Sequence, residues 1–79
     1  MITFPVRLSS VDAVRRFVGI TASSRADVDL ECGSYLVDAK SIMGIFSLDL
    51  SKPVNVLIHD DGAPAAAKLL AENLASFRV

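Results

Sequence analysis

The chain has 79 residues, 52% of them hydrophobic and 22% charged, with 8 basic against 9 acidic side chains for a formal net charge of −1. That length makes one small domain, residues 1–79, which buries a modest fraction of its surface and is only marginally stable. With Arg15-Arg16 as the only basic cluster, the sequence excludes a phosphate-backbone binder, so no direct nucleic-acid partner is expected. No run approaches the roughly 18 apolar residues that span a bilayer, so no membrane partner is expected. The opening "MITFPVRL" is too short and too interrupted for a signal peptide. One cysteine, Cys32, rules out an intrachain disulfide and fits a reducing compartment. The expected location is cytoplasmic.

In chain order, "ITFPVRL" reads as a first strand, with Ile2, Phe4, Val6 and Leu8 alternating against Thr3, Pro5 and Arg7. Pro5 has no N–H to give a ladder, which points to an edge strand. The period then changes. Val11, Val14, Phe17 and Val18 recur at helical spacing, with Ser9 or Ser10 as N-cap and Asp12 in the first turn. Gly19 weakens the end of this helix, and "TASSRA" is a loop.

"DVDLECGSYLVDA" predicts a hairpin turning at Gly33-Ser34, with Val28, Leu30 and Cys32 on the buried side. Cys32 is expected to be a small buried strand residue. "KSIMGIFSLDL" predicts a short helix capped by Ser41, and "PVNVLIH" a fourth strand in which Val54, Val56 and Ile58 alternate. "DDG" ends that strand. "APAAAKLLAENLASFRV" predicts a last helix, with Pro64 in its first turn and Leu69, Leu70, Leu74 and Phe77 as its buried stripe.

The order β-α-β-β-α-β-α predicts an α+β, open-faced two-layer sandwich, with three helices covering one face of a four-stranded antiparallel sheet. The other face would carry Thr3, Arg7, Asp27, Asp29, Glu31 and Asn55. Nothing in the sequence implies a cofactor or a metal. His59-Asp60-Asp61 has the right residue types, but consecutive residues do not easily converge on one ion. His59 is expected at a strand end, remote from Ser10.

The run Ile42-Met43-Gly44-Ile45-Phe46 is too continuous for one helix face to bury it all, and it sits beside Ser41. Ala39-Lys40-Ser41-Ile42-Met43-Gly44, extended by Ser47-Leu48, resembles the histidine-containing phosphocarrier (HPr) family of the bacterial sugar phosphotransferase system. The likeness is strongest to its Gram-positive branch, including the catabolite-repression paralogue, and runs in order and length over the whole chain.

In that family the first helix opens with a pattern of the form His-x-Arg-Pro-Ala. Anchoring on Phe17-Val18 puts Ser10 at the histidine position, Asp12 at the arginine and Ala13 at the proline. A phosphohistidine needs an imidazole nucleophile and positive surroundings. Asp12 would instead repel a phosphate by about 1 kcal/mol at 4 Å in water. Ser10 is expected to remain only a cap, so no catalytic residue is assigned.

The resemblance implies that Ser41 is a regulatory phosphorylation site for an ATP-dependent serine kinase, its product binding a transcriptional regulator. A phosphate there would add about −1.5 to −2 charges beside an apolar surface. Lys40 would pair with it, Ile42, Met43 and Phe46 would form the docking surface, and Ile45 and Leu48 would be core. The expected function is a non-enzymatic regulatory or adaptor protein in carbon regulation. The alternatives are a working phosphocarrier of the phosphoenolpyruvate-dependent system and a phosphate-independent binding module.

Overall fold

The computed structural model describes residues 1–79. The alternating apolar residues of the first segment form β1 (Ile2–Val6), and the 3.6-residue pattern after it forms α1 (Val11–Ala22). The hairpin is β2 (Asp27–Cys32) and β3 (Tyr35–Asp38); the short apolar run is α2 (Ile42–Phe46). Next come β4 (Val54–His59), α3 (Pro64–Asn73) and a 3-10 turn at Ala75–Phe77. The four strands make one antiparallel sheet in the order β1-β4-β2-β3, so Pro5 lies on an edge strand as its missing N–H requires. Gly33, at φ 60°, makes the tight turn between β2 and β3, a backbone conformation that L side chains avoid.

Alternation sends Phe4, Val6, Val28, Leu30, Val54, Val56 and Ile58 to one face of the sheet. The helices pack onto that face through Val14, Phe17, Ile45, Leu70 and Leu74, all 0–2% exposed. Phe17 meets Phe77 edge to face, with ring centroids 5.6 Å apart and planes at 89°. The opposite face carries Thr3, Asp27, Asp29, Glu31 and Asn55, as the alternation predicted, together with Leu57 and His59. No helix is long and apolar enough to cross a membrane.

Four expectations are corrected. Leu69 is 58% exposed, and the buried stripe of α3 continues instead as Ala67, Leu70, Leu74 and Phe77. Ala67, Leu70 and Leu74 keep the 100° helical step, from which Leu69 is turned off, and Phe77 is carried by the 3-10 turn that follows. The last helix also ends at Asn73. After the 3-10 turn, Arg78 bridges Val6, while Arg7 N–H donates to Phe77 O at 2.9 Å and Val79 N–H to Pro5 O at 3.2 Å. The chain end thereby pairs with the otherwise open edge of β1.

Val11 is 56% exposed, because at the first helical position no preceding turn covers it. Cys32 is half-buried, since it ends β2 opposite Tyr35 at the margin of the sheet.

The one buried polar side chain in the core is Thr21. Its hydroxyl donates to Ala39 O at 2.8 Å and lies 3.3 Å from Val18 O, and no buried side-chain N or O lacks a partner. The bond to Ala39 joins the end of α1 to the segment entering α2. Thr21→Val keeps the shape but leaves the Ala39 carbonyl unpaired. It should lower unfolding stability by about 1–2 kcal/mol in urea denaturation, with an unchanged m-value.

Candidate functional site

Ser10 has extended backbone (φ −146°, ψ 160°) and caps α1. Its Oγ accepts from Ala13 N–H at 3.0 Å, and its carbonyl takes the Val14 N–H at 3.1 Å. Asp12 pairs one turn along with Arg16, Nε to Oδ2 at 3.4 Å, and both side chains are largely exposed. No histidine stands near this helix start. The single histidine, His59, ends β4, whereas Val54 at the other end of β4 pairs with Val6, just before Ser10. Five residues of strand separate the two, about 17 Å at the usual rise. His59 Nε2 lies 2.9 Å from Asp29 Oδ2 on the outer face of the sheet.

Ser41 caps α2 in the same way. Its Oγ accepts from Gly44 N–H at 3.1 Å, its carbonyl accepts from Ile45 N–H at 3.0 Å, and its own N–H donates to Asp38 O at 3.0 Å. The segment before it is firmly held. Ala39 is fully buried, its N–H donates to Val28 O at 3.0 Å, and its carbonyl takes the Thr21 hydroxyl. The residue that follows into the helix start, Ser41, is half-buried.

The five residues of α2 divide by their spacing. Ile45 is fully buried and Ile42 half-buried against the core, whereas Met43 and Phe46, three apart on the outer side, are 77% and 43% exposed. Ile42 therefore offers only part of its side chain to a partner. Leu48 is buried, as the sequence suggests.

Lys40 makes its own bonds away from the Ser41 hydroxyl. Its Nζ donates to Ser24 O at 2.9 Å, beyond the end of α1, and its backbone N–H donates to Asp38 Oδ1 at 2.9 Å. In the unmodified chain this bond ties the α2 entry to the segment after α1. This use is sterically natural, because successive residues at a cap point to different sides.

Two contributors were missed by sequence reasoning. Val11 and Leu50 join Phe46 around a shallow concavity of about 320 Å³ that also reaches Ser10 and Ser51. Val11 was hidden by its fit to the apolar stripe; its place at the first helical turn was the available signal. The loop at Asp49–Ser51 is fixed locally. Ser51 donates to Asp49 Oδ1 from its hydroxyl at 2.6 Å and from its N–H at 3.1 Å. The Ser51 hydroxyl, then its N–H, hold the Asp49 carboxyl below the usual aspartate range.

Two capped helix starts, exposed apolar residues on α2 and an open-faced sheet define a small α+β domain of the β-α-β-β-α-β-α class. A family model described as "PTS HPr component phosphorylation site" matches residues 11–77. The fold is similar to the crystal structure of HPr-C-His from Thermoanaerobacter tengcongensis, with a TM-score of 0.71, 26% identity, and 95% of this chain and 90% of that one covered. It is also similar to the phosphocarrier protein HPr of Bacillus anthracis str. Ames, with a TM-score of 0.66, 26% identity, and 91% and 94% covered. No curated protein sequence matches significantly. The chain belongs to the HPr family of the phosphotransferase system.

The split within α2 yields a stability contrast. Ile45→Ala opens a cavity in the core and should cost about 2–5 kcal/mol by denaturant unfolding. Met43→Ala removes a side chain that folding leaves in water and should stay within about 0.5 kcal/mol of the parent.

Proposed function

We propose that this chain is a regulatory or adaptor member of the HPr family that does not carry phosphoryl groups on histidine and is switched at Ser41. The observation that carries this reading is the contrast between the two helix starts. Anchored on Phe17-Val18, the resemblance puts Ser10 at the position of the family's phosphoacceptor histidine. It has no base beside it, and the nearest charged pair is Asp12 with Arg16, so a phosphoryl group would gain neither a nucleophile nor a free cation there. The arrangement at Ser41 differs. Ser41 opens α2, whose Met43 and Phe46 are exposed, and Phe46 shares a concavity with Val11.

A phosphate on Ser41 adds about −1.5 to −2 charges at the start of that helix. Its effect is on what docks there rather than on the fold, because α2 is pinned from outside by Thr21 and Lys40. Met43 supplies an adaptable contact and Phe46 an aromatic anchor, a pairing suited to protein partners. The partners in this reading are an ATP-dependent serine kinase and a regulator of carbon metabolism. The protein acts by binding, in the cytoplasm, and performs no catalysis of its own.

Intact-mass measurement under two conditions tests the proposal. With an HPr serine kinase and ATP, the protein should gain one phosphate that Ser41→Ala does not take up. With the first enzyme of the phosphotransferase system and phosphoenolpyruvate it should gain none. A phosphoenolpyruvate-dependent adduct would overturn the reading in favour of a phosphocarrier, and no adduct in either condition would favour phosphate-independent binding.

A further inference from the structure

The two edges of the sheet are finished differently. The chain end covers β1, where Arg78 bridges Val6 and Val79 N–H donates to Pro5 O. At the other edge, β3 has β2 on one side and no strand on the other. Which of its groups face outward follows from the ladder. Ala39 N–H donates to Val28 O at 3.0 Å, and this pair continues the register that sets Val37 against Leu30 and Tyr35 against Cys32. Bonded and non-bonded pairs alternate between antiparallel strands, so Tyr35, Val37 and Ala39 turn their amides to β2. Leu36 and Asp38 turn theirs to the open edge.

That edge lacks most of the devices that discourage pairing. It carries no proline, no lysine and no bulge, and its one charge is Asp38. Helix α2 does not cover it, since Tyr35 and Leu36 are both well exposed.

We propose that β3 pairs with β3 of a second copy of this chain, antiparallel and about a two-fold axis at Leu36, in a weak and reversible dimer. The occupant is chosen by the side chains. Residues directly opposite one another share a face of the sheet, so only every second register is open. With the axis at Leu36, the two Leu36 side chains meet on the outer face and Tyr35 meets Val37 of the second copy on the inner face. At each end Ser34 stands opposite Asp38, a hydroxyl donor against a carboxylate. The edge thus supplies its own complement: apolar pairs in the middle and a polar pair at either end. Moving the axis to Val37 would set Leu36 against Asp38, and moving it to Asp38 would bring two carboxylates together. A strand of four residues makes a small contact, which is why the dimer is transient.

Sedimentation equilibrium of the full chain from about 10 μM to about 1 mM spans the affinities of such small interfaces. The apparent mass should rise toward that of a dimer, and the Leu36 and Asp38 amide resonances should shift over the same range. Leu36→Lys places two cations on the axis, and Leu36→Pro removes an outward N–H at a position where an edge strand accepts proline. Each should weaken association at least about tenfold, a loss of about 1.4 kcal/mol. Because the Leu36 side chain is already in water, Leu36→Lys should keep the parental Tm in dilute solution. A chain that stays monomeric throughout, its edge left to a strand from another protein, would overturn the proposal. So would a dimer that forms equally well in Leu36→Lys.

Discussion

The hydrogen bond from Thr21 to the Ala39 carbonyl is the constraint on which the arrangement of the site depends. A helix of five residues such as α2 cannot sustain itself, since nucleation costs more than one turn returns. It is formed because its entry is fixed from outside. Thr21 reaches across from α1, Ala39 N–H is taken up by β2, and Lys40 bonds the carbonyl of Ser24. Those three contacts set where Ser41 emerges and which way α2 turns its apolar residues.

The consequence is a surface with two characters. The inner side of α2 closes the core through Ile45, while its outer side leaves Met43 and Phe46 in water. Burying each of these would have contributed about 1.5–3 kcal/mol, so their exposure is a cost that folding does not recover. In the proposed function these two side chains serve as the docking surface. The outer face of the sheet has another chemistry: Asp27, Asp29, Glu31 and Asp38 line it, with His59 bonded to Asp29. Exposed Arg15, Arg16 and Lys68 lie on α1 and α3 instead. A partner that docks at the helix starts therefore meets mixed charge on one side and apolar contact on the other.

The fold was legible because the periods in the sequence are clean. Strict alternation in β1, β2 and β4 and the Gly33-Ser34 turn are local signals that the sheet obeys. The order β1-β4-β2-β3 comes from pairings between distant segments, which local patterns do not encode. The errors cluster where burial is decided by neighbours rather than by period. Leu69 is apolar but one step off the stripe, Val11 fits the stripe but precedes any cover, and Cys32 alternates correctly but ends its strand. At the site, the caps Ser10 and Ser41 were readable from residue type and position. The destination of the Lys40 side chain was not, since a four-carbon stem can reach Ser24 or Ser41 and only the tertiary placement of α1 decides.

The central claim, that Ser41 rather than a histidine holds the regulatory phosphate, meets its most direct test in the chemistry of the bond formed in cells. A phosphoserine ester survives acid, whereas a phosphohistidine is hydrolysed by it. Protein recovered from cells grown on a phosphotransferase sugar should carry one phosphate that persists through acid treatment and is missing from Ser41→Ala. An acid-labile phosphate, still present in Ser41→Ala, would contradict the account and place the protein among the carriers.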